Sequence, residues 1–218
     1  MHGWLRVELL SAATFSAGRG LAGEVDVDVE QEPSGIPKIV GKTLKGLLVE
    51  ECAAILDVFS AKEWHRAAAR LFGTTNADTS KGILRIEDAL LPDGVRRVAD
   101  KAVSRQQHPL HPLQVLSTLT EVRQQTKIAR TTGAPAETTL RSSRVVLPGL
   151  CLYARLWWLE PPSEREKALF AGSALMTRRA GLARNRGRGR LVCRCLDERG
   201  EDVTTPWLSP LMEKEVGT

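Results

Sequence analysis

Long hydrophobic runs are missing from this chain. None approaches the roughly 20 apolar residues of a membrane-spanning helix, and the amino terminus MHGWLRVELL lacks the extended apolar stretch of a signal peptide. Cysteine is scarce: Cys52, Cys151, Cys193 and Cys195 form no C-x-x-C pair, which excludes a zinc ribbon or a thioredoxin-like redox motif. On a strand, Cys193 and Cys195 share one face, as expected for buried thiols. No internal repeat is present. These absences describe a reduced, cytoplasmic protein with no membrane partner.

A nucleotide-binding P-loop is absent as well, although GIPKIVGKTLKG at 35–46 resembles one. The motif needs four residues between its first glycine and Gly-Lys-Thr; here there are five, Ile36 to Val40. Ile36, Pro37, Ile39 and Val40 also resist the positive φ angles that wrap amides around a phosphate. The preceding GEVDVDVEQEPS is too acidic to be the buried strand that feeds such a loop. What remains is a Gly-Lys-Thr opening a helix, where free N–H groups and the helix dipole favour an anion.

With 218 residues, 42% hydrophobic and 26% charged, the chain can bury an ample core. Its net charge of +5 is mildly basic, but unevenly spread. Glu24 to Glu32 holds five acids and no base; Arg178 to Arg190 holds six arginines and no acid. Either run can be a solvated face. Arginines interleaved with glycines are a narrower case, because glycine permits close backbone approach and guanidinium groups clamp phosphates bidentately. That pattern favours a polyanion.

Periodicity supplies the elements. WLRVELLSA has strand composition, Lys42 to Val58 has helical spacing through Leu44, Leu47, Leu48, Ala54, Ile55 and Val58, and AKEWHRAAARLF is a second helix. GILRIEDALL is a strand closed by a Pro92-Asp93-Gly94 turn. Residues 95–147 are polar and weakly periodic, and so long a structureless insertion is unusual in a compact domain. They are expected to form a protruding, partly β-hairpin arm. GLCLYARLWWLE is a strand, SEREKALFAGSALM a helix capped by Ser163, and GRLVCRCLDE a final strand. Without the arm, the order is βαββαβ: an α+β fold, ferredoxin-like or RRM-like, as one domain over 1–218.

Four motifs in order now carry a resemblance. SAGRGLAGEVD is a Gly-rich loop ending at Asp26; GIPKIVGKTLKGLL resembles a Leu-Pro-x-Ile-Pro-Gly-Ser-Ser-Leu-Lys-Gly signature; RTTGAPAETTLRSSRVVLPG resembles a thumb-hairpin segment; RRAGLARNRGRGR resembles a glycine-rich carboxy-terminal loop. Together the chain resembles the RAMP superfamily of CRISPR-associated proteins, in particular the repeating backbone subunit of type III effector complexes. It departs from that pattern in having Val40-Gly41 for Pro-Gly, Lys42-Thr43 for Ser-Ser, and Ser16 where many members carry a histidine.

The resemblance implies a guide (crRNA) and a complementary target RNA, copies of the chain itself and other effector subunits as partners. It places Gly41, Lys42, Thr43, Lys45 and Gly46 against the guide backbone, with Arg178, Arg179, Arg184, Arg186, Arg188 and Arg190 lining the same groove. Arg130, Thr131, Thr132, Arg141 and Arg144 fall on the thumb that crosses the guide–target duplex. Asp26 becomes the catalytic carboxylate, recruiting a divalent metal, Mg2+, or polarising the attacking 2′-hydroxyl. If EVDVDV is extended, Glu24, Asp26 and Asp28 share one side; Glu24 and Asp28 are then solvated members of the loop. His108 and His111 are surface loop residues rather than a metal pair. Trp157 and Trp158 face opposite ways on a strand, so at most one can stack on a base. Three readings stay open: an endoribonuclease subunit, a catalytically silent RNA scaffold, and a terminal capping relative.

Overall fold

The computed structural model describes residues 2–16, 18, 20, 25–74, 81–125 and 141–212. Strand β1 (His2–Leu9) is followed by helices α1 (Gly41–Val58) and α2 (Lys62–Phe72), strand β2 (Leu84–Leu90), and helices α3 (Asp93–Val103) and α4 (Pro112–Leu119). Strands β3 (Thr120–Gln125), β4 (Arg141–Val146) and β5 (Cys151–Trp158) come next, then α5 (Glu164–Met176), β6 (Leu191–Leu196) and α6 (Thr204–Met212).

Strict alternation makes β1 the spine of the sheet. Leu5, Val7 and Leu9 are fully buried, while Trp4, Arg6 and Glu8 alternate onto the other face. It pairs antiparallel with β5 on one side and β6 on the other, giving the order β2-β5-β1-β6. Leu5 lies opposite Ala154 and Cys195, and Val7 opposite Leu152 and Cys193, so three strands present one apolar layer to α1 and α5. With α2, α3, α4, α6 and the β3–β4 ribbon set aside, the chain runs β1-α1-β2-β5-α5-β6 in the expected order. Cys193 and Cys195 are buried free thiols. Burial pushes Cys193 up to about 12 and Cys195 well above its ordinary value, so both stay protonated.

Helix α5 is buried almost all round, Ala168 to Ala174 without a break, because the sheet, α1, α2 and α6 surround it. A Cβ at Gly172 would lie 2.9 Å from Ile55 Cδ1 and 3.0 Å from Leu211 Cδ1. Glycine there admits α1 and α6 to the same turn. The start of α5 is the capping box anticipated at Ser163. Its hydroxyl accepts from the Glu166 N–H at 3.4 Å, and the Glu166 carboxylate accepts from the Ser163 N–H at 2.7 Å.

Three features differ from the sequence reading. Residues 95–147 are not all arm: α3 and α4 occupy much of the span, and Ala99, Val115 and Leu116 join the core. Pro92-Asp93-Gly94 opens α3 instead of turning the chain. Val95, Val98, Ala99, Ala102 and Val103 recur at helical spacing in α3, but only Ala99 is fully buried and Val95 and Val98 are exposed. The protruding part narrows to the β3–β4 ribbon, and residues 126–140 lie outside the described residues. His111 is the N-cap of α4: its Nδ1 accepts from the Leu113 N–H, and Gln114 Oε1 accepts from the His111 N–H. Helix α6 was hidden by Pro206 and Pro210, yet Trp207 seats it against Trp158 and Phe170.

Replacing Ser163 with alanine removes the cap hydroxyl and is expected to cost about 1 kcal/mol, lowering Tm by roughly 2–4 °C. Thermal unfolding followed by circular dichroism measures it. An unchanged Tm contradicts the box as a stabilising element.

Candidate nucleic-acid interface

Beyond Leu9, the chain leaves the sheet and its backbone is taken up from both sides. Ala13 exchanges hydrogen bonds with Val146 of β4 at 3.1 and 2.7 Å, and the buried Thr14 hydroxyl donates to the Arg144 carbonyl at 2.9 Å. From the other side comes the loop of residues 177–190. The Leu182 N–H donates to the Thr14 carbonyl and the Gly189 N–H to that of Ala12, each at 2.9 Å. This approach demands glycine. Gly181 has φ +83° and a Cβ there would sit 2.5 Å from the Thr14 oxygen; Gly189 has φ +69° and would meet the Ala180 oxygen at 1.9 Å.

The acidic segment joins the same surface. Ser16 bridges Val29, Val27 bridges Ser143, and the Glu30 N–H donates to the Phe15 carbonyl at 2.9 Å. The arginine loop reaches β4 through Arg188 Nη1 to Ser143 Oγ at 3.4 Å. It reaches α1 through a bidentate Arg184–Glu50 pair at 2.8 and 3.1 Å. The exit of β1, the acidic segment from Val25 on, the β3–β4 ribbon, the arginine loop and the start of α1 therefore form one continuous surface. A small cavity of about 130 Å³ opens in it, between Thr14, Phe15, Thr43, Gly181 and Leu182.

Asp26 lies exposed on this surface. Its N–H donates to Ser142 O at 3.1 Å and Ser142 Oγ at 3.0 Å. Its Oδ2 accepts from the Ser142 N–H at 2.6 Å and from Ser142 Oγ at 3.1 Å. The Ser142 amide, then its hydroxyl, then the nearby Arg141 guanidinium hold this carboxyl below the usual carboxylate range. Oδ1 accepts no hydrogen bond from the described residues. Arg178, Arg179, Arg186 and Arg190 are exposed, and their side chains make no hydrogen bond or ion pair among the described residues.

The model of the RAMP superfamily matches residues 6–192. This chain belongs to the RAMP superfamily. Among solved structures, a type III-B Cmr-beta complex bound to cognate target RNA contains a chain that aligns at TM-score 0.66 and 12% identity, over 89% of this chain and 97% of that one. The apo state of type III-B Cmr-beta gives TM-score 0.67 and 12% identity, over 91% and 98%. At that identity the likeness is one of fold. No curated protein matches by sequence.

Several anticipated site residues of this RAMP protein have other employment. Gly41 is buried, its N–H donates to Asp88 Oδ1 at 2.9 Å, and Asp88 Oδ2 accepts from Lys38 Nζ at 2.7 Å. The start of α1 is thus filled by the protein's own carboxylate, contrary to the expectation of a free amide there. Asp88 went unnoticed because it sits inside a strand pattern. A Cβ at residue 41 would lie 2.3 Å from the Ile86 carbonyl, so glycine is required there by packing against β2. Lys42, Thr43 and Gly46 are exposed. Lys45 is half-buried, with its pKa lowered by desolvation and then by Arg85. Arg130, Thr131, Thr132 and Glu24 lie outside the described residues.

The expectation for Asp28 is overturned. It is 7% exposed, accepts from Arg144 Nε at 2.9 Å and from the Val29 N–H at 2.8 Å, and faces inward while Asp26 faces out. Isolated bridges replace a regular ladder here, so simple alternation does not hold. Arg144, placed on the thumb by resemblance, is likewise buried.

The larger cavity, about 700 Å³, lies on the open face of the sheet among Trp4, Arg6, Tyr153, Arg155 and Arg194. Arg6 pairs with Glu8 and Arg194 with Asp202, and Arg155 stacks 4.4 Å from the Trp157 ring centroid. Trp157 donates to Glu87, while Trp158 is buried on the opposite face, as alternation requires. Among the described residues no cluster of three or more His, Cys, Asp or Glu side chains could hold a metal, and no helix is long and apolar enough to cross a membrane.

Asp28→Ala removes one partner of a buried ion pair and is expected to destabilise the fold by about 3 kcal/mol. Denaturant unfolding measures it, with Asp28→Asn expected to lose less. A midpoint equal to the parent's would contradict the buried pair.

Proposed function

We propose that this RAMP protein is a backbone subunit of a type III-like CRISPR ribonucleoprotein that binds crRNA and cleaves complementary target RNA. One observation carries the proposal: an exposed carboxylate, Asp26, held on the same surface as four exposed arginines whose side chains form no ion pair among the described residues. A carboxylate on a surface built to attract polyanions is electrostatically unfavourable unless it works on the polyanion itself. Family membership and the fold shared with chains of type III-B Cmr-beta, one of them bound to cognate target RNA, support the reading.

Arg178, Arg179, Arg186 and Arg190 would take guide phosphates as side-chain contacts, carrying no base information, while pairing between guide and target reads sequence. Lys42, Thr43 and Lys45 extend that track along α1; Gly41 shapes it without touching it. In the cleavage step the target's 2′-hydroxyl oxygen attacks the adjacent phosphorus. The bond to the 5′-oxygen breaks, water takes the 2′-hydroxyl proton and supplies one to the departing 5′-oxygen, and a 2′,3′-cyclic phosphate and a 5′-hydroxyl are left. With its pKa depressed, Asp26 is a weak base, so its role is to orient the 2′-hydroxyl and to hold positive charge beside the phosphate. Its unengaged Oδ1 fits a divalent ion such as Mg2+, which needs few protein ligands when RNA oxygens and waters complete its shell, and which would supply charge neutralisation at the phosphate. Copies of the chain and other effector subunits would continue the surface along the RNA in a cytoplasmic particle.

The test uses the assembled ribonucleoprotein and labelled target in magnesium. Asp26→Ala is expected to slow cutting by about a hundredfold or more while guide retention and target pairing hold. Arg186→Ala with Arg190→Ala should weaken guide binding for every sequence alike and reduce the salt slope by about two. Cutting at the parental rate by the Asp26 variant, or binding insensitive to salt, refutes the proposal.

A further inference from the structure

We infer that Ser142 is a positioning residue for Asp26, tying the carboxylate to the β3–β4 ribbon so that the ribbon's position sets where Oδ1 lies. The inference rests on the reading of Asp26 as the carboxylate that acts on target RNA.

The contact is reciprocal, engaging backbone and side chain of both residues. Ser142 N–H and Oγ converge on Oδ2 at 2.6 and 3.1 Å, while Ser142 O and Oγ accept from the Asp26 N–H at 3.1 and 3.0 Å. The zipper continues for two more bonds, with the Val27 N–H to Ser142 O at 3.2 Å and the Arg144 N–H to Val27 O at 2.9 Å. Ser142 pairs with Gln124 in the hairpin, next to the outermost described pair, Gln125 with Arg141. Asp26 and Val27 are thus joined to the far end of the described ribbon, so a displacement of that ribbon reaches Asp26 through hydrogen bonds alone.

Both lone-pair directions of Oδ2 are satisfied by Ser142, which fixes the plane of the carboxylate and leaves Oδ1 as the oxygen that meets RNA or a cation. An untethered aspartate on an exposed segment would sample several rotamers, and misplacement by about 1 Å can cost on the order of a hundredfold in rate. Any displacement of the β3–β4 ribbon would then move Oδ1, so that cutting depends on where the ribbon sits.

Ser142→Ala keeps the amide donor and removes the hydroxyl; Ser142→Thr restores it. In the assembled ribonucleoprotein, Ser142→Ala is expected to cut about tenfold more slowly with guide binding unchanged, and Ser142→Thr to recover most of the rate. In an Asp26→Ala background, Ser142→Ala should change nothing further. A readout independent of cutting is the titration of the Asp26 carboxyl by nuclear magnetic resonance on the full chain. Its midpoint should lie below the ordinary carboxylate value in the parent, rise in Ser142→Ala and fall again in Ser142→Thr. If Asp26→Ala abolishes cutting while Ser142→Ala cuts at the parental rate, or if the carboxyl titrates alike in all three proteins, the inference is overturned and the function proposed above stands. If the parent never cuts, that function fails instead, and the titration alone decides whether the tether exists.

Discussion

Strand β1 is the constraint from which the rest follows. Paired on both edges and buried along one face, it cannot shift by one residue without turning Leu5, Val7 and Leu9 into solvent and Arg6 and Glu8 into the core. Its fixed register also fixes the point at which the chain leaves the sheet. Ala12, Ala13 and Thr14 emerge there with backbone groups that must be satisfied, and β4 and the arginine loop satisfy them from opposite sides. The candidate surface is a by-product of that requirement: two distant segments are drawn together because one short stretch of backbone needs both.

Electrostatics on this surface sort into committed and uncommitted charge. Arg184 is bound to Glu50, Arg144 to Asp28 and Lys38 to Asp88. Exposed pairs such as Arg184–Glu50 add little stability but fix the path of the loop that carries them. Holding the loop at Arg184, and at Arg188 through Ser143, leaves Arg178, Arg179, Arg186 and Arg190 facing solvent. The basic run is thus neither wholly structural nor wholly functional.

Much of this was legible in the chain itself. The strand composition of β1 and the cap at Ser163 each announce their element through one local pattern, and the structure keeps both; of the α1 stripe it buries Leu44, Leu48 and Ile55 but leaves Ala54 and Val58 exposed. Asp26, Arg178, Arg179, Arg186 and Arg190, all singled out from the sequence, are exposed. What the sequence hid depended on partners far along the chain. Asp28 could not be separated from Asp26 because its burial comes from Arg144, 116 residues away. Asp88 caps α1 from across 47 residues, and a histidine serving as N-cap to α4 follows no common capping pattern. Helices α3 and α6 escaped for local reasons: α3 has helical spacing through Val95, Val98, Ala99, Ala102 and Val103 but opens on a Pro-Asp-Gly that reads as a turn, and α6 carries two prolines.

Asp88 at the start of α1 has a consequence for the kind of recognition this surface can perform. A ring of backbone amides around a phosphate is a rigid mould, matched to one position and one orientation. Here the mould is closed by an internal carboxylate, and the open cations stand at the ends of long, rotatable side chains. Such a surface follows a strand whose phosphates are unevenly spaced, bent or displaced, because each guanidinium can reach independently of its neighbours. Tolerance of irregular backbone geometry is therefore built into the fold at the place where a mould would have forbidden it.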